Sequence, residues 1–153
     1  MIVRLATDAD IASVAALRLR AAEEDAEDAG EPITDPGYTD RFTEWWHAEK
    51  SHRRFWIAET GHPIGFCCLV LVTRMPKAGQ PAGAWGYLSN FFVLPEHRDA
   101  GVGAALMSAL LKYAEDLGCP RVVLTPSERA VPFYRRAGFS PAESLLLKVN
   151  ATE

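Results

Sequence analysis

The sequence predicts a mixed α/β fold: a central twisted, mixed sheet flanked by about four helices, in the order β-α-α-β-β-β-α-β-α-β. Three observations carry this. Apolar residues change from helical spacing to short runs and back along the 153 residues. Two strand patterns, residues 54–59 and 64–73, flank the turn Thr60-Gly61-His62, which is the signature of an antiparallel hairpin. A strongly periodic helix over 101–117 lies between an aromatic strand and a short apolar one, the pattern of a parallel crossover. The length fits one domain over residues 1–153. A domain of this size buries ~68–70% of the surface its unfolded chain exposes and needs no staples.

Each element has a local cause. Residues 1–5 alternate weakly and read as a first strand. Thr7 or Asp8 caps the helix that follows, in which Ile11, Val14, Leu17 and Ala21 share a face. That helix ends near Ala29-Gly30, and the two prolines of 31–37 make a loop. A second helix, 39–50, places Phe42, Trp45, Trp46 and Glu49 on one side. After the hairpin, Pro76, Gly79, Pro81 and Gly83 make 75–83 a loop, and 85–93 is a third aromatic-rich strand ended by Pro95. The helix 101–117 buries Val102, Leu106, Leu110, Tyr113 and Leu117, and Gly118 and Pro120 stop it. Residues 121–125 form a nearly all-apolar strand, expected where both faces are buried. A short helix tolerates Pro132 in its first turn, Gly138 ends it, and 139–149 supplies a closing strand.

Composition excludes several classes. Hydrophobic residues are 48% and charged residues 24%, the balance of a globular protein. A net charge of −4, from 16 basic and 20 acidic residues, argues against a non-specific nucleic-acid binder. No apolar run reaches the ~18–20 residues of a membrane span. The start lacks the basic-then-apolar pattern of a signal peptide. Cys67, Cys68 and Cys119 read as reduced, buried thiols of a cytoplasmic protein. His47, His52, His62 and His97 show no metal-ligand spacing, so no metal is expected.

The segment Arg98-Asp99-Ala100-Gly101-Val102-Gly103 opens the long helix with two glycines. Without side chains there, a ligand can approach the backbone. The first helical N–H groups lack intrahelical partners and, with the helix dipole, form an anion site suited to a pyrophosphate. The alternative is that the glycines serve packing and Arg98 is plain surface. A dinucleotide-binding fingerprint fails, because Leu106 stands where its third glycine belongs. A triphosphate-cradling loop fails as well, since no Gly-Lys-Ser/Thr occurs.

The motif Val93-x-Pro95-Glu96-x-Arg98-x-x-Gly101-x-Gly103 resembles the acyl-CoA-binding motif of the GNAT superfamily of N-acetyltransferases. Downstream, Ser127-x-x-Ala130-x-x-Phe133-Tyr134-x-x-x-Gly138-Phe139 is similar to that family's second signature. The hairpin from Phe55 to Gly65-Phe66 is a weaker match. The resemblance implies that the strands ending at Val93 and spanning 121–125 splay apart, with acetyl-CoA as cosubstrate between them. Pantetheine then bonds to backbone near Phe92 and Val93. The pyrophosphate lies on N–H groups from Asp99, Ala100, Gly101, Val102, Gly103 and Ala104, beside Arg98. Tyr134 points at the thioester sulfur. The acceptor enters over the first two helices and the 75–83 loop.

The chemistry asks for these parts independently. An amine attacking a thioester carbonyl gives a tetrahedral oxyanion, which N–H donors at a strand irregularity stabilise; Phe92 is the candidate donor. The departing thiolate takes a proton from a nearby acid, and Tyr134, with an ordinary pKa of about 10, is of the right type. The alternative for Tyr134 is a core aromatic. Two departures from the family stand out. Asp99 occupies a position where many members have Gly, putting a negative charge beside the presumed pyrophosphate. Tyr87 stands where several members have Glu, so the usual place for a general base is empty. Ser89 and Asn90 are placed to hold a water instead. The acids Glu23, Glu24, Asp25, Glu27 and Asp28 either attract a cationic amine or form a solvated helix end. Trp45 and Trp46 are either acceptor-pocket or core residues. Arg129, Arg135 and Arg136 are surface charges, or one meets the cofactor's 3′-phosphate.

The resulting expectation is an acetyl-CoA-dependent N-acetyltransferase acting directly on a primary amine: a small molecule, a peptide N-terminus or a lysine. Nucleic acid and membrane are not expected partners, and a homodimer is open to such a chain. A non-catalytic acyl-CoA-binding or sensing module on the same fold is the alternative, and a structural subunit is a third reading.

Overall fold

The computed structural model describes residues 1–151, and in them five strands lie in the spatial order β1-β2-β3-β4-β5. β1 (Ile2–Leu5), β2 (Arg53–Glu59), β3 (Pro63–Thr73) and β4 (Ala84–Val93) are successive antiparallel neighbours. β5 (Val122–Val123) joins β4 in parallel after α3 (Val102–Asp116), which is the expected crossover. α1 (Ile11–Ala29) and α2 (Tyr38–Glu49) cover the other face of the sheet, and α4 (Val131–Arg136) follows β5.

Side-chain alternation divides the apolar hairpin between two layers. Trp56, Cys67 and Leu69 pack beneath α3 with Leu106 and Leu110. Phe55, Phe66 and Cys68 pack beneath α1 and α2 with Val14 and Trp46. This two-sided burial explains why the apolar residues of β3 run on without alternating with polar ones. It also sends the adjacent thiols of Cys67 and Cys68 to opposite faces. Both are free, and burial pushes both up from the ordinary thiol range.

Polar contacts lock the first helices to the sheet. Arg4 places its guanidinium fork on the Asp10 carboxylate at 2.8 and 2.8 Å, which holds that carboxyl down at about 2. The Trp46 indole N–H and the Lys50 ammonium both donate to Asp8, each at 2.9 Å, tying α2 to the start of α1. Gly30, at φ 76°, closes α1 in the left-handed cap that glycine adopts without a Cβ penalty.

Four expectations are corrected. The buried face of α3 is Val102, Leu106, Met107, Leu110 and Ala114; Leu117 is exposed because the helix stops at Asp116. Tyr113 is half-buried, and its hydroxyl accepts from Arg54 Nε at 2.9 Å. β5 has two residues rather than five, both half-buried, since it is an edge strand that soon leaves β4. The closing strand over 139–149 does not form among the described residues: the segment is irregular, and Leu146, Leu147 and Val149 are exposed. A strand needs a ladder to pair with, and β5 offers only two residues of one.

Candidate active site

β4 pairs with β5 only at Gly86–Val122 and Tyr87–Val123, whereas its pairing with β3 continues to Val93. The β3–β4 register slips between Leu69–Leu88 and Cys68–Asn90, leaving Ser89 as an extra residue on β4. Such a bulge bends its strand and sharpens the local twist. Beyond Tyr87 the two strands therefore part, and a gap opens along the β5 side of β4.

The backbone groups facing this gap follow from alternation. Leu94 N–H donates to Ile64 O at 2.9 Å, and a Cβ added at Gly65 would sit 2.9 Å from Phe92 O. The main chain of Phe92 thus faces β3, so its amide is not the gap-facing donor expected from the sequence. The amides turned to the gap are those of Phe91 and Val93. The Phe92 ring lies in the α1–α2 layer, with the Arg98 guanidinium 5.6 Å above it.

A 3-10 turn, Pro95–His97, leads from β4 to the loop before α3. Gly101 is the N-cap residue at φ 83° with open space around it, so its backbone conformation is what requires glycine. No side chain caps the helix, and the first intrahelical bond is Ala105 N–H to Gly101 O at 3.1 Å. The amides of Val102, Gly103 and Ala104 are left open, a ready site for an anion. The Val102 side chain is buried and fixes this turn to the core, while Ala100 and Ala104 are small and exposed. Gly103 has a different reason to be small: a Cβ there would meet the Phe133 ring at 3.2 Å. Asp99 takes φ 61°, a conformation Asp tolerates better than most residues. Glycine would suit that place with no penalty, and Asp99, exposed, lies three residues before the first open amide.

Arg98 is fully engaged. Its Nε donates to Val93 O at 2.9 Å, and its two terminal nitrogens donate to Glu24 at 3.0 and 2.8 Å. That fork holds the Glu24 carboxyl below its ordinary value. Arg98 therefore binds the loop to α1 rather than reaching toward the open amides. One member of the acidic run also gains a structural partner.

Tyr134 stands on α4 in an aromatic cluster, with ring centroids 5.3 Å from Phe133, 5.9 Å from Phe139 and 6.5 Å from the gap-lining Phe91. Burial raises its phenol pKa, with a smaller contribution from Cys67, so it is protonated at neutral pH.

On the opposite face a cleft of about 410 Å³ opens between α1, α2 and the sheet, with Ser89 and Asn90 at its base. Arg53 lies 4.8 Å over the Trp45 ring and donates to Ser89 Oγ at 3.3 Å; Ser89 Oγ donates to Asn90 Oδ1 at 2.9 Å. Trp45 thus lines the cleft, and Trp46 is core. Arg18, Tyr38, Arg41 and Arg53, which line it too, were invisible to motif reading: they are scattered across three elements and only the fold brings them together. Among the described residues no carboxylate or histidine lines the cleft, and the Tyr87 hydroxyl lies 3.4 Å from Thr125 Oγ1 rather than at a base's position. Among the described residues no group of His, Cys, Asp and Glu is placed to hold a metal, and no helix is long and apolar enough to cross a membrane.

The profile of the Acetyltransferase (GNAT) family matches residues 18–139, from within α1 to just past α4. The chain belongs to the GNAT acetyltransferase family. Within it, the chain is 33% identical over 84 residues to a glucosamine 6-phosphate N-acetyltransferase of Trypanosoma brucei brucei, covering 55% of each. It is 30% identical over 84 residues to the protein of that name in Schizosaccharomyces pombe, covering 55% of this chain and 73% of that one. The chain spans about half the length of the first curated relatives it matches. A crystal structure of a predicted acetyltransferase with acetyl-CoA from Clostridium acetobutylicum shares the fold. Its TM-score is 0.75 at 21% identity, over 97% of this chain and 95% of that one.

Proposed function

We propose that this GNAT domain transfers the acetyl group of acetyl-CoA directly to a primary amine of a small molecule. The observation that carries the reading is the junction at the Ser89 bulge: a strand gap on one side, an uncapped helix N-terminus at its end, and a cleft on the other face. Acetyl-CoA supplies an activated thioester, two pantetheine amides and a pyrophosphate. The gap-facing main chain of Phe91 and Val93 is arranged to bond the pantetheine and to offset charge that develops on the thioester oxygen. The amides of Val102, Gly103 and Ala104 take the pyrophosphate, while Arg98 keeps that loop in place. The neutral amine adds to the thioester carbonyl and forms the C–N bond; as the C–S bond breaks, Tyr134 gives its proton to the leaving thiolate, the nitrogen sheds its surplus proton to water, and Tyr134 is reprotonated from water.

No residue of the cleft is a ready base, so the amine must react from its neutral form. The guanidinium groups around the cleft favour that form by repelling the ammonium. Similarity to two glucosamine 6-phosphate N-acetyltransferases supports a small-molecule acceptor over a protein one. The reduced thiols suit a cytoplasmic enzyme.

Titration calorimetry with acetyl-CoA, followed by a screen of amines for release of free thiol, tests the reading. Binding and amine-dependent thiol release are expected, with a higher melting temperature in the presence of acetyl-CoA. No binding at millimolar acetyl-CoA overturns the assignment. Binding without thiol release from any amine makes the domain a sensing module.

A further inference from the structure

We infer that the cleft selects amines that also carry an oxyanion, a phosphate or a carboxylate, and that Arg18 is its principal anchor. The inference rests on the acetyl-transfer reading above and assigns the acceptor its charge class. Three guanidinium groups, of Arg18, Arg41 and Arg53, line the cleft, and no carboxylate among the described residues does, although acids outnumber bases in the chain by 20 to 16. Two of the three are matched. Arg41 places both terminal nitrogens on Asp35, and Arg53 donates through Nε to Glu49 at 3.2 Å. Arg18 has no hydrogen bond or ion pair among the described residues. Three cations against two paired carboxylates leave one positive charge, with the whole fork of Arg18 available.

A guanidinium fork matches carboxylate and phosphate geometry with two parallel bonds, which is the pairing Arg18 lacks. Tyr38 lines the cleft together with Arg18 and Arg41 and adds a hydroxyl donor to it. Ser89 and Asn90 stand at the base, next to the strand gap, so an acceptor anchored by its anion at Arg18 extends its amine toward them. The same charge repels a simple cationic amine. The anion therefore gives the affinity by taking up the one unmatched positive charge, while Arg41 and Arg53 stay held by Asp35 and Glu49.

The test compares amines that differ by one anion: ethanolamine with O-phosphoethanolamine, butylamine with γ-aminobutyrate, and glucosamine with glucosamine 6-phosphate. Calorimetric binding to protein saturated with CoA is measured first, since it needs no turnover, and thiol release gives kcat/KM. The anionic member of at least one pair is expected to bind roughly 10- to 100-fold tighter, the worth of a charge-assisted pair. The pair with the larger ratio distinguishes phosphate from carboxylate. Arg18→Gln should remove most of that ratio while acetyl-CoA affinity and melting temperature stay as they are. Equal binding within all three pairs overturns the inference, as does a preference that survives in Arg18→Gln. Anionic amines that bind but are never acetylated leave the cleft assignment standing and remove the transferase reading. Neutral amines acetylated with no preference for anions do the reverse.

Discussion

Replacing Glu24 with Gln separates two roles for Arg98. In one, Arg98 holds the loop before α3 in place; in the other, it is a charge withheld from the pyrophosphate by its pairing. The two Arg98–Glu24 bonds measure 3.0 and 2.8 Å, and the side chains are 38% and 20% exposed. That lies between an open surface pair, worth ~0.2–1 kcal/mol, and a buried charged hydrogen bond, worth ~1.5–3 kcal/mol. About 1 kcal/mol is therefore the expected coupling between the two residues, or about fivefold in an equilibrium constant. Glu24→Gln should lower the melting temperature by ~2–4 °C. If Arg98 positions the loop, Glu24→Gln also weakens acetyl-CoA binding, by up to about fivefold, because the open amides lose their fixed arrangement. Arg98→Ala weakens it further, since the bond to Val93 O goes too. Calorimetry on the wild type, both single variants and the double variant gives the coupling directly. The pH dependence has a definite sign. Arg98 lowers the Glu24 carboxyl in the folded state, so its stabilisation is complete above the unfolded value of about 4.3. It is lost as pH falls through the folded value. The difference in stability between wild type and Glu24→Gln should thus vanish in strong acid. Tighter acetyl-CoA binding by Glu24→Gln would refute the positioning role and show that the pair restrains a direct ligand.

Three further outcomes are expected. Tyr134→Phe should lower kcat ~10²–10⁴-fold with little change in acetyl-CoA affinity or melting temperature, and full activity in that variant would return Tyr134 to the core. Asp99→Asn keeps a residue that tolerates φ 61° while removing a negative charge from the loop that leads into the open amides; acetyl-CoA should bind about two- to fivefold tighter, and calorimetry at low and high salt should show the gain shrinking. Gly103→Val forces the Phe133 ring away, since even a Cβ would meet it at 3.2 Å. It should cost ~1–3 kcal/mol in thermal unfolding, whereas a weakened cofactor site with unchanged stability would show that the glycine serves the ligand instead.

The sequence made some of this legible and hid the rest for physical reasons. The hairpin and the helix of residues 102–116 declare themselves because turn chemistry and helical spacing are local. The gap between β4 and β5 was expected from the family resemblance, but the bulge that opens it was not locatable: Ser89 looks like any strand residue until register is known. Register also decided which amides face the gap, and there a reading one residue out, at Phe92 instead of its neighbours, points to the wrong edge of the strand. The strand expected over 139–149 failed differently. Leu145, Leu147 and Val149 alternate as a strand should, but pairing is a property of the partner, and β5 is too short to supply it. Arg98 was read as a ligand because the motif contains it; its actual partner, Glu24, lies in α1, and such a contact has no local signature.

One extra residue in β4 links the two halves of the site. Without Ser89 the β3–β4 ladder would keep one register from Thr73 to Gly65, and β4 would have less reason to bend away from β5. The same insertion brings Ser89 and Asn90 together at the base of the cleft on the α1–α2 face, although consecutive strand residues normally point to opposite faces. The bulge therefore opens a channel on one side of the sheet and supplies the polar floor of a cleft on the other, at the same height along the strand. In the proposed reaction the acyl donor and the amine come from opposite faces and meet at that height. On the proposed reading no base on β4 is called on, because the amine reacts from its neutral form.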